Sequence, residues 1–197
     1  MSTKPVTATL LGTGTSVGVP VIGCRCPVCT SGHPGNQRTR SSLHLQMPGL
    51  SVLVDSGPDL RQQALREDLH TVDAVLYTHS HLDHVAGFDE LRAFCWHRED
   101  PLPLHAGPET LEVLTQMFPW AMSNTSPNYV RPAPRLIDGP FKLRDLTVTP
   151  VPVVHPSVET FGFRFDPPTG QALAYLSDVK EIPSSSFSLL EGLEILI

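Results

Sequence analysis

Strands and helices interleave along this chain, and its candidate ligand residues fall at strand ends. That pattern predicts an α/β (α+β) protein built as a sheet sandwich flanked by helices. Two observations carry the prediction. The apolar run Val72-Asp73-Ala74-Val75-Leu76-Tyr77 reads as a buried strand and opens into Thr78-His79-Ser80-His81-Leu82-Asp83-His84. Val85, Phe88, Leu91, Arg92 and Cys95 then recur at helical spacing. From Phe141 onwards the chain is rich in strand patterns, at 146–151, 160–165 and 172–176.

Taken in order, residues 6–11 form a first strand that runs into Gly12-Thr13-Gly14-Thr15. No Rossmann or Walker pattern completes this Gly-x-Gly, so it reads as a tight turn. Residues 22–40 make a Gly/Cys/Pro-rich excursion. The stretches 42–45 and 51–54 pair as a hairpin across Pro48-Gly49. Ser56 and Pro58 start a helix whose apolar face, Leu60, Ala64, Leu65 and Leu69, runs up to His70. A short strand at 102–105 and an amphipathic helix at 110–118 follow. Residues 119–135, with Trp120, Tyr129 and Arg131, read as a long loop of the kind that frames a site. The end of the chain, Leu193-Glu194-Ile195-Leu196-Ile197, reads as a strand still in progress.

The 197 residues, 40% of them hydrophobic, suit one domain spanning 1–197 with a sizeable core, and 20 prolines favour short, stiff loops. No apolar stretch is long enough to cross a membrane, and Met1-Ser2-Thr3-Lys4-Pro5 lacks the apolar segment of a signal peptide, which points to the cytoplasm. A net charge of −6 gives no electrostatic footprint for DNA or RNA, so a phosphorylated substrate would be held locally, by metal and a few arginines.

Residues 78–84 pack three imidazoles and a carboxylate into one strand-to-helix loop. In a tight loop His79 and His81 can grip one ion, and Asp83 and His84, one turn later, a second. Two divalent ions a few ångströms apart can share a water, lower its pKa and clamp a phosphoryl or acyl oxygen. Cys24-x-Cys26-x-x-Cys29, closely spaced in a chain without an export signal, points to metal rather than disulfides. Cys95 reads as a buried thiol. His33, His44, His70, His97 and His105 lack such context and read as surface or hydrogen-bonded polar residues.

The run Thr-His-Ser-His-Leu-Asp-His-Val-Ala-Gly resembles the His-x-His-x-Asp-His signature of the metallo-β-lactamase-fold hydrolases. The resemblance implies a four-layer αβ/βα sandwich, with the excursion at about 22–40 as a zinc-binding insertion. His155, after an apolar strand and before Pro-Ser-Val-Glu-Thr-Phe-Gly-Phe, is similar to the family's third metal element. Asp178, ending Ala174-Tyr175-Leu176-Ser177-Asp178, is similar to its bridging carboxylate. On this resemblance His79, His81 and His155 hold the first ion, Asp83 and His84 the second, and Asp178 bridges; Asp83 and Asp178 are the catalytic carboxylates, and the ions are zinc or manganese. Gly12-Thr13-Gly14-Thr15-Ser16-Val17-Gly18-Val19-Pro20 with Gly23-Cys24-Arg25-Cys26-Pro27-Val28-Cys29 resembles the branch that includes the phosphoribosyl cyclic phosphodiesterase of phosphonate breakdown. There the three thiolates hold a structural zinc, completed by a histidine near the C-terminus.

That family continues beyond the point where this sequence stops, so the expectation is a fold incomplete at its C-terminus, lacking the last metal histidine, the fourth zinc ligand and a proposed general acid. The expected activity is metal-dependent hydrolysis of a small, cyclic phosphoribosyl-type phosphodiester by a hydroxide bridging the two ions. A homodimer is allowed, and neither DNA nor a membrane is called for. Two rivals stand beside it: a ribonuclease of the tRNA 3′-processing type, disfavoured by the acidic balance, and a non-catalytic binding protein like the relative in pyrroloquinoline-quinone biosynthesis, disfavoured by the intact metal motif.

Overall fold

The computed structural model describes residues 6–96, 98–123 and 129–197. Two sheets face each other. The first runs β1 (Thr7–Gly12), β2 (Ser42–Met47), β3 (Leu50–Val54), β4 (Ala74–Leu76), β5 (Leu102–Ala106) and β6 (Pro132–Leu136), in that spatial order. Its β1–β2 and β2–β3 pairs are antiparallel and the rest parallel. The second runs, from one edge, β11 (Ile195–Leu196), β10 (Leu173–Tyr175), β9 (Thr160–Asp166), β8 (Leu146–Val153) and β7 (Phe141–Leu143). It is antiparallel except for the β10–β11 pair.

Strand periodicity explains the layering. Side chains of a strand alternate faces, and in β3 and β4 both faces are apolar. Leu53 and Val75 point into one core with Leu60, Val85, Phe88, Leu91 and Leu114 of the helical layer. Val52, Val54, Ala74 and Leu76 point into the other, against Leu146, Val148, Phe163, Phe165 and Leu173 of the second sheet. Strands buried on both sides are what parallel pairing under helices requires. The helices over the first sheet are α1 (Leu60–Arg66), α2 (Leu82–Val85), α3 (Arg92–Cys95), α4 (Pro108–Met117) and α5 (Pro119–Met122). The second sheet carries α6 (Ser184–Phe187), tied down where Ser186 Oγ donates to Pro152 O at 2.7 Å.

Several expectations shift in detail. The hairpin forms across Pro48-Gly49, with Met47 paired to Leu50 and Gly49 at φ 74°, the left-handed region a glycine adopts freely. The first helix begins only at Leu60, because the loop that follows β4 bonds to Ser56 and packs against Gly57. The helical pattern after that loop resolves into short turns rather than one helix, and the helix expected at 110–118 begins earlier, with Pro108 at its first turn. The long loop expected at 119–135 is shortened from both ends by α5 and β6, and residues 124–128 lie outside the described residues. The sequence reading placed most of β6, with Pro132 and Pro134, inside that loop. At a sheet edge the odd-numbered residues turn their N–H groups inward, as Ile137 does to Ala106 O at 3.0 Å, so the prolines occupy positions that need no donor. The last residues do pair: Leu173 and Ala174 of β10 lie beside Ile195 and Leu196.

The five histidines outside the metal motifs have local roles wherever they are described. His44 Nε2 meets Ser51 Oγ at 2.9 Å, His33 Nδ1 accepts from Gly35 N, and exposed His70 pairs with Asp68. His105 stacks on Phe141 with ring centroids 4.3 Å apart; His97 lies outside the described residues. Cys95 is buried in the first core. Burial, and then the Arg135 cation, lower His105 from 6.5 to about 4. The unfolded chain therefore takes up a proton near pH 6.5 that folded His105 refuses until about pH 4, so this group's contribution is intact above pH 6.5 and is lost as pH falls through that window. We expect the urea midpoint to drop across this window, and to drop less in His105→Gln; equal slopes would remove His105 from the account.

Candidate metal centre

The loop after β4 is held by the turn after β3. Asp55 follows β3 in the left-handed region (φ 63°), rare for a non-glycine residue, and turns its carboxylate inward. It is fully buried, where an unpaired carboxylate would be costly. Three donors satisfy it: Thr78 N to Oδ1 at 2.8 Å, Thr78 Oγ1 to Oδ2 at 2.8 Å, and His84 Nδ1 to Oδ2 at 2.7 Å. Backbone bonds from Ser56 N to His84 O and from Gly87 N to Ser56 O, both 2.8 Å, close the two segments on each other. The approach demands glycine: a Cβ on Gly57 would stand 2.2 Å from Asp83 O, and one on Gly87 would stand 2.0 Å from Gly57 O.

These bonds fix which imidazole nitrogen faces the site. Asp55 is an acceptor only, so Thr78 Oγ1 spends its proton there and must accept from His79 Nδ1, 2.9 Å away. His84 Nδ1 is likewise the donor to Asp55. Both histidines therefore turn Nε2 toward the site: that of His79 is unprotonated, the form a metal needs, and that of His84 donates to Asp178 until a cation displaces its proton. Burial first, then His84, lower His79 to about 4. Burial would lower His84 too, but Asp55, Asp178 and Asp83 raise it to about 12. In return the His84 hydrogen bond holds Asp83 and Asp178 below the usual carboxylate range.

Two overlapping groups result. His79, His81, His155 and Asp178 form one; Asp83, His84 and Asp178 form the other; within each group all ligand atoms lie within 4.8 Å of one another. His81 Nδ1 is 3.1 Å from both His79 Nε2 and His155 Nε2. Asp178 Oδ2 lies 3.7 Å from His79 Nε2, 4.0 Å from His155 Nε2 and 3.2 Å from His84 Nε2, and Asp83 Oδ2 is 3.3 Å from His84 Nε2. Ligands about 2.0–2.1 Å from one tetrahedral ion stand roughly 3.3 Å apart, so this spacing and this N/O donor set fit zinc-like ions. His79 to His84 come from the first sheet, while His155 follows β8 and Asp178 follows β10, so the cluster sits where the two sheets meet. Asp178, like Asp55, is left-handed (φ 54°).

Cys24, Cys26 and Cys29 form a third group with sulfurs equally close, unpaired and largely exposed. Cys26 is lowered to about 7, first by the Cys29 backbone N–H, which donates to its sulfur at 3.4 Å, and then by Cys24. Among the described residues no fourth ligand joins them.

Sequence reading overlooked Asp55. Its signal was a carboxylate directly after a buried strand, in Val54-Asp55-Ser56-Gly57, but nothing local announces its bond to His84, 29 residues on.

The family model for the β-lactamase superfamily domain matches residues 51–197. The crystal structure of a diphosphatase from the PhnP family is 39% identical, with a TM-score of 0.87, and the alignment covers 97% of this chain and 72% of that one. Zn2+-bound PqqB from Methylobacterium extorquens is 25% identical, with a TM-score of 0.76, covering 96% and 71%. An octanoyltransferase of Porphyromonas gingivalis is 38% identical over 192 residues, which is 95% of this chain but 37% of that protein. The chain spans less than half the length of the curated relatives it matches.

Two outcomes are expected from this geometry. Asp55→Ala should free His84 without touching a ligand atom and weaken metal binding about 10–100-fold, the usual cost of losing an orienting partner; calorimetric titration of zinc reads it, with circular dichroism confirming the fold. Cys24→Ser should lower zinc uptake by about one ion per chain and leave the 22–32 segment more open to protease, with uptake by the histidine cluster unchanged. Unchanged zinc content in that variant would remove the thiol site.

Proposed function

The chain belongs to the β-lactamase superfamily, and from that premise we propose that it is the metal-binding part of a phosphodiesterase acting on a small, anionic phosphodiester of the cyclic phosphoribosyl type. One observation carries the reading: two ligand groups share a single carboxylate, Asp178. A shared carboxylate is the arrangement that sets two divalent ions side by side. Such ions polarise phosphoryl oxygens and lower the pKa of a water nucleophile.

The chain's own residues supply the rest. Asp55 and Thr78 hold His79 and His84 in the ligating tautomer. Asp83 and Asp178 remain ionised, so each can bind a cation or accept a proton. The rigid Ser56–Gly87 clasp keeps the loop from shifting as charge develops. Similarity to a PhnP-family diphosphatase supports phosphorus chemistry, and the net charge of −6 favours a small substrate over a nucleic acid. The thiol cluster, on this reading, takes a structural zinc.

With manganese or zinc supplied, Asp178→Ala should abolish nearly all hydrolysis of bis(p-nitrophenyl) phosphate and of cyclic sugar phosphates, whereas His44→Ala should be close to silent. Precursor tRNA cleaved far faster than either small diester would overturn the substrate class.

A further inference from the structure

Away from the metal cluster, the 12–20 and 34–40 segments and helix α1 border two adjoining, solvent-open clefts of about 390 Å3 each. Both are lined by Gln37, Arg38, Thr39 and Arg66, and one also by Arg40 and Gln62. Three of the 14 basic residues of an acidic chain thus converge on one groove.

Their hydrogen bonds make the convergence specific. Each arginine is anchored by its Nε: Arg38 to Gly35 O at 3.0 Å, Arg40 to Ser16 O at 3.3 Å, and Arg66 to Glu67 at 2.6 Å. Arg40 Nη1 is held by Asp59, and Arg66 Nη2 by Leu11 O. Asp59 and Glu67 thereby offset the charges of Arg40 and Arg66. Arg38 has no carboxylate partner among the described residues. Four terminal nitrogens are left without a protein acceptor among those residues: both of Arg38, Nη2 of Arg40 and Nη1 of Arg66. The walls are braced as well, by Val19 and Arg38 exchanging backbone bonds at 2.9 and 2.7 Å and by Gly14 N donating to Thr39 O at 2.8 Å.

Guanidinium groups with fixed stems and free terminal N–H groups match the oxygens of a phosphoryl group, which accept such paired donors. We propose that this groove binds a phosphoryl-bearing small molecule, with Arg38 supplying the uncompensated charge. The site shares no residue with the metal cluster. Its Arg40 end is still close to it, because a Cβ on Gly57 would lie 3.7 Å from Arg40 Cβ and 2.2 Å from Asp83 O. The phosphoryl group could therefore belong to the non-reacting end of a substrate or to a free small phosphate.

The test begins with chelator-stripped protein, so that phosphate has no metal to occupy and the result stands or falls apart from the hydrolase reading. Diphosphate is titrated calorimetrically at constant ionic strength. The wild-type chain should bind it, Arg38→Ala should weaken binding about tenfold or more, and Arg92→Ala, a surface change elsewhere, should not. No binding by the wild type, equal binding by Arg38→Ala, or the same heat from chloride would each overturn the site. Metal-loaded turnover then separates the sources. A KM raised in Arg38→Ala for a phosphate-bearing cyclic diester, but not for bis(p-nitrophenyl) phosphate, assigns the groove to the substrate; equal KM values assign it to free phosphate.

Discussion

The buried Asp55 carboxylate is the constraint on which the rest of the site depends. A charge with no exposure to solvent is tolerated only when donors surround it, and here all three come from Thr78 and His84. The turn after β3 and the loop after β4 can therefore bury Asp55 only together. Their glycine contact, Gly57 against Asp83 and Gly87 against Gly57, leaves no room to slide. The consequence is chemical: the two most buried histidines present Nε2 because their Nδ1 protons are committed elsewhere.

The second dependence is architectural. The first sheet supplies His79, His81, Asp83 and His84, and the second supplies His155 and Asp178. Neither sheet forms the cluster alone. The ligand spacing is set by the apolar layer between them, where Val54 and Leu76 meet Phe163, Phe165 and Tyr175. Packing in a layer this dense transmits small volume changes, so the separation of His155 from His81 is a property of the core as much as of the loop.

The readable part of this chain was the part in which chemistry is concentrated locally. Seven consecutive residues announced the first candidate ligands, a hairpin pattern announced β3, and strand-like runs announced β8 and β9. His155 and Asp178 became legible through their place at strand ends beside that motif. The misreadings have physical causes. Proline in β6 looked like loop because sequence does not show which backbone positions face an open edge. Helix α1 starts late because a distant backbone bonds to Ser56 and lies tight against Gly57. Asp55 and the three arginines carry no local pattern; their roles exist only once segments tens of residues apart are folded together.

The arginine groove and the thiol cluster belong to the same excursion, and this relates them. The segment has little core of its own: Ile22 is 98% exposed and Val28 50%. Its order rests on backbone bonds such as those between Val19 and Arg38, and on sulfur contacts, with Cys29 Sγ accepting from Val21 N at 3.3 Å. Residues 18–21 are thus gripped from one side by the groove wall and from the other by the thiols. A metal ion on Cys24, Cys26 and Cys29 would stiffen that short connection. A polar excursion on an acidic chain can in this way keep several cations fixed in one place, where mobile side chains would lose more entropy on meeting an anion.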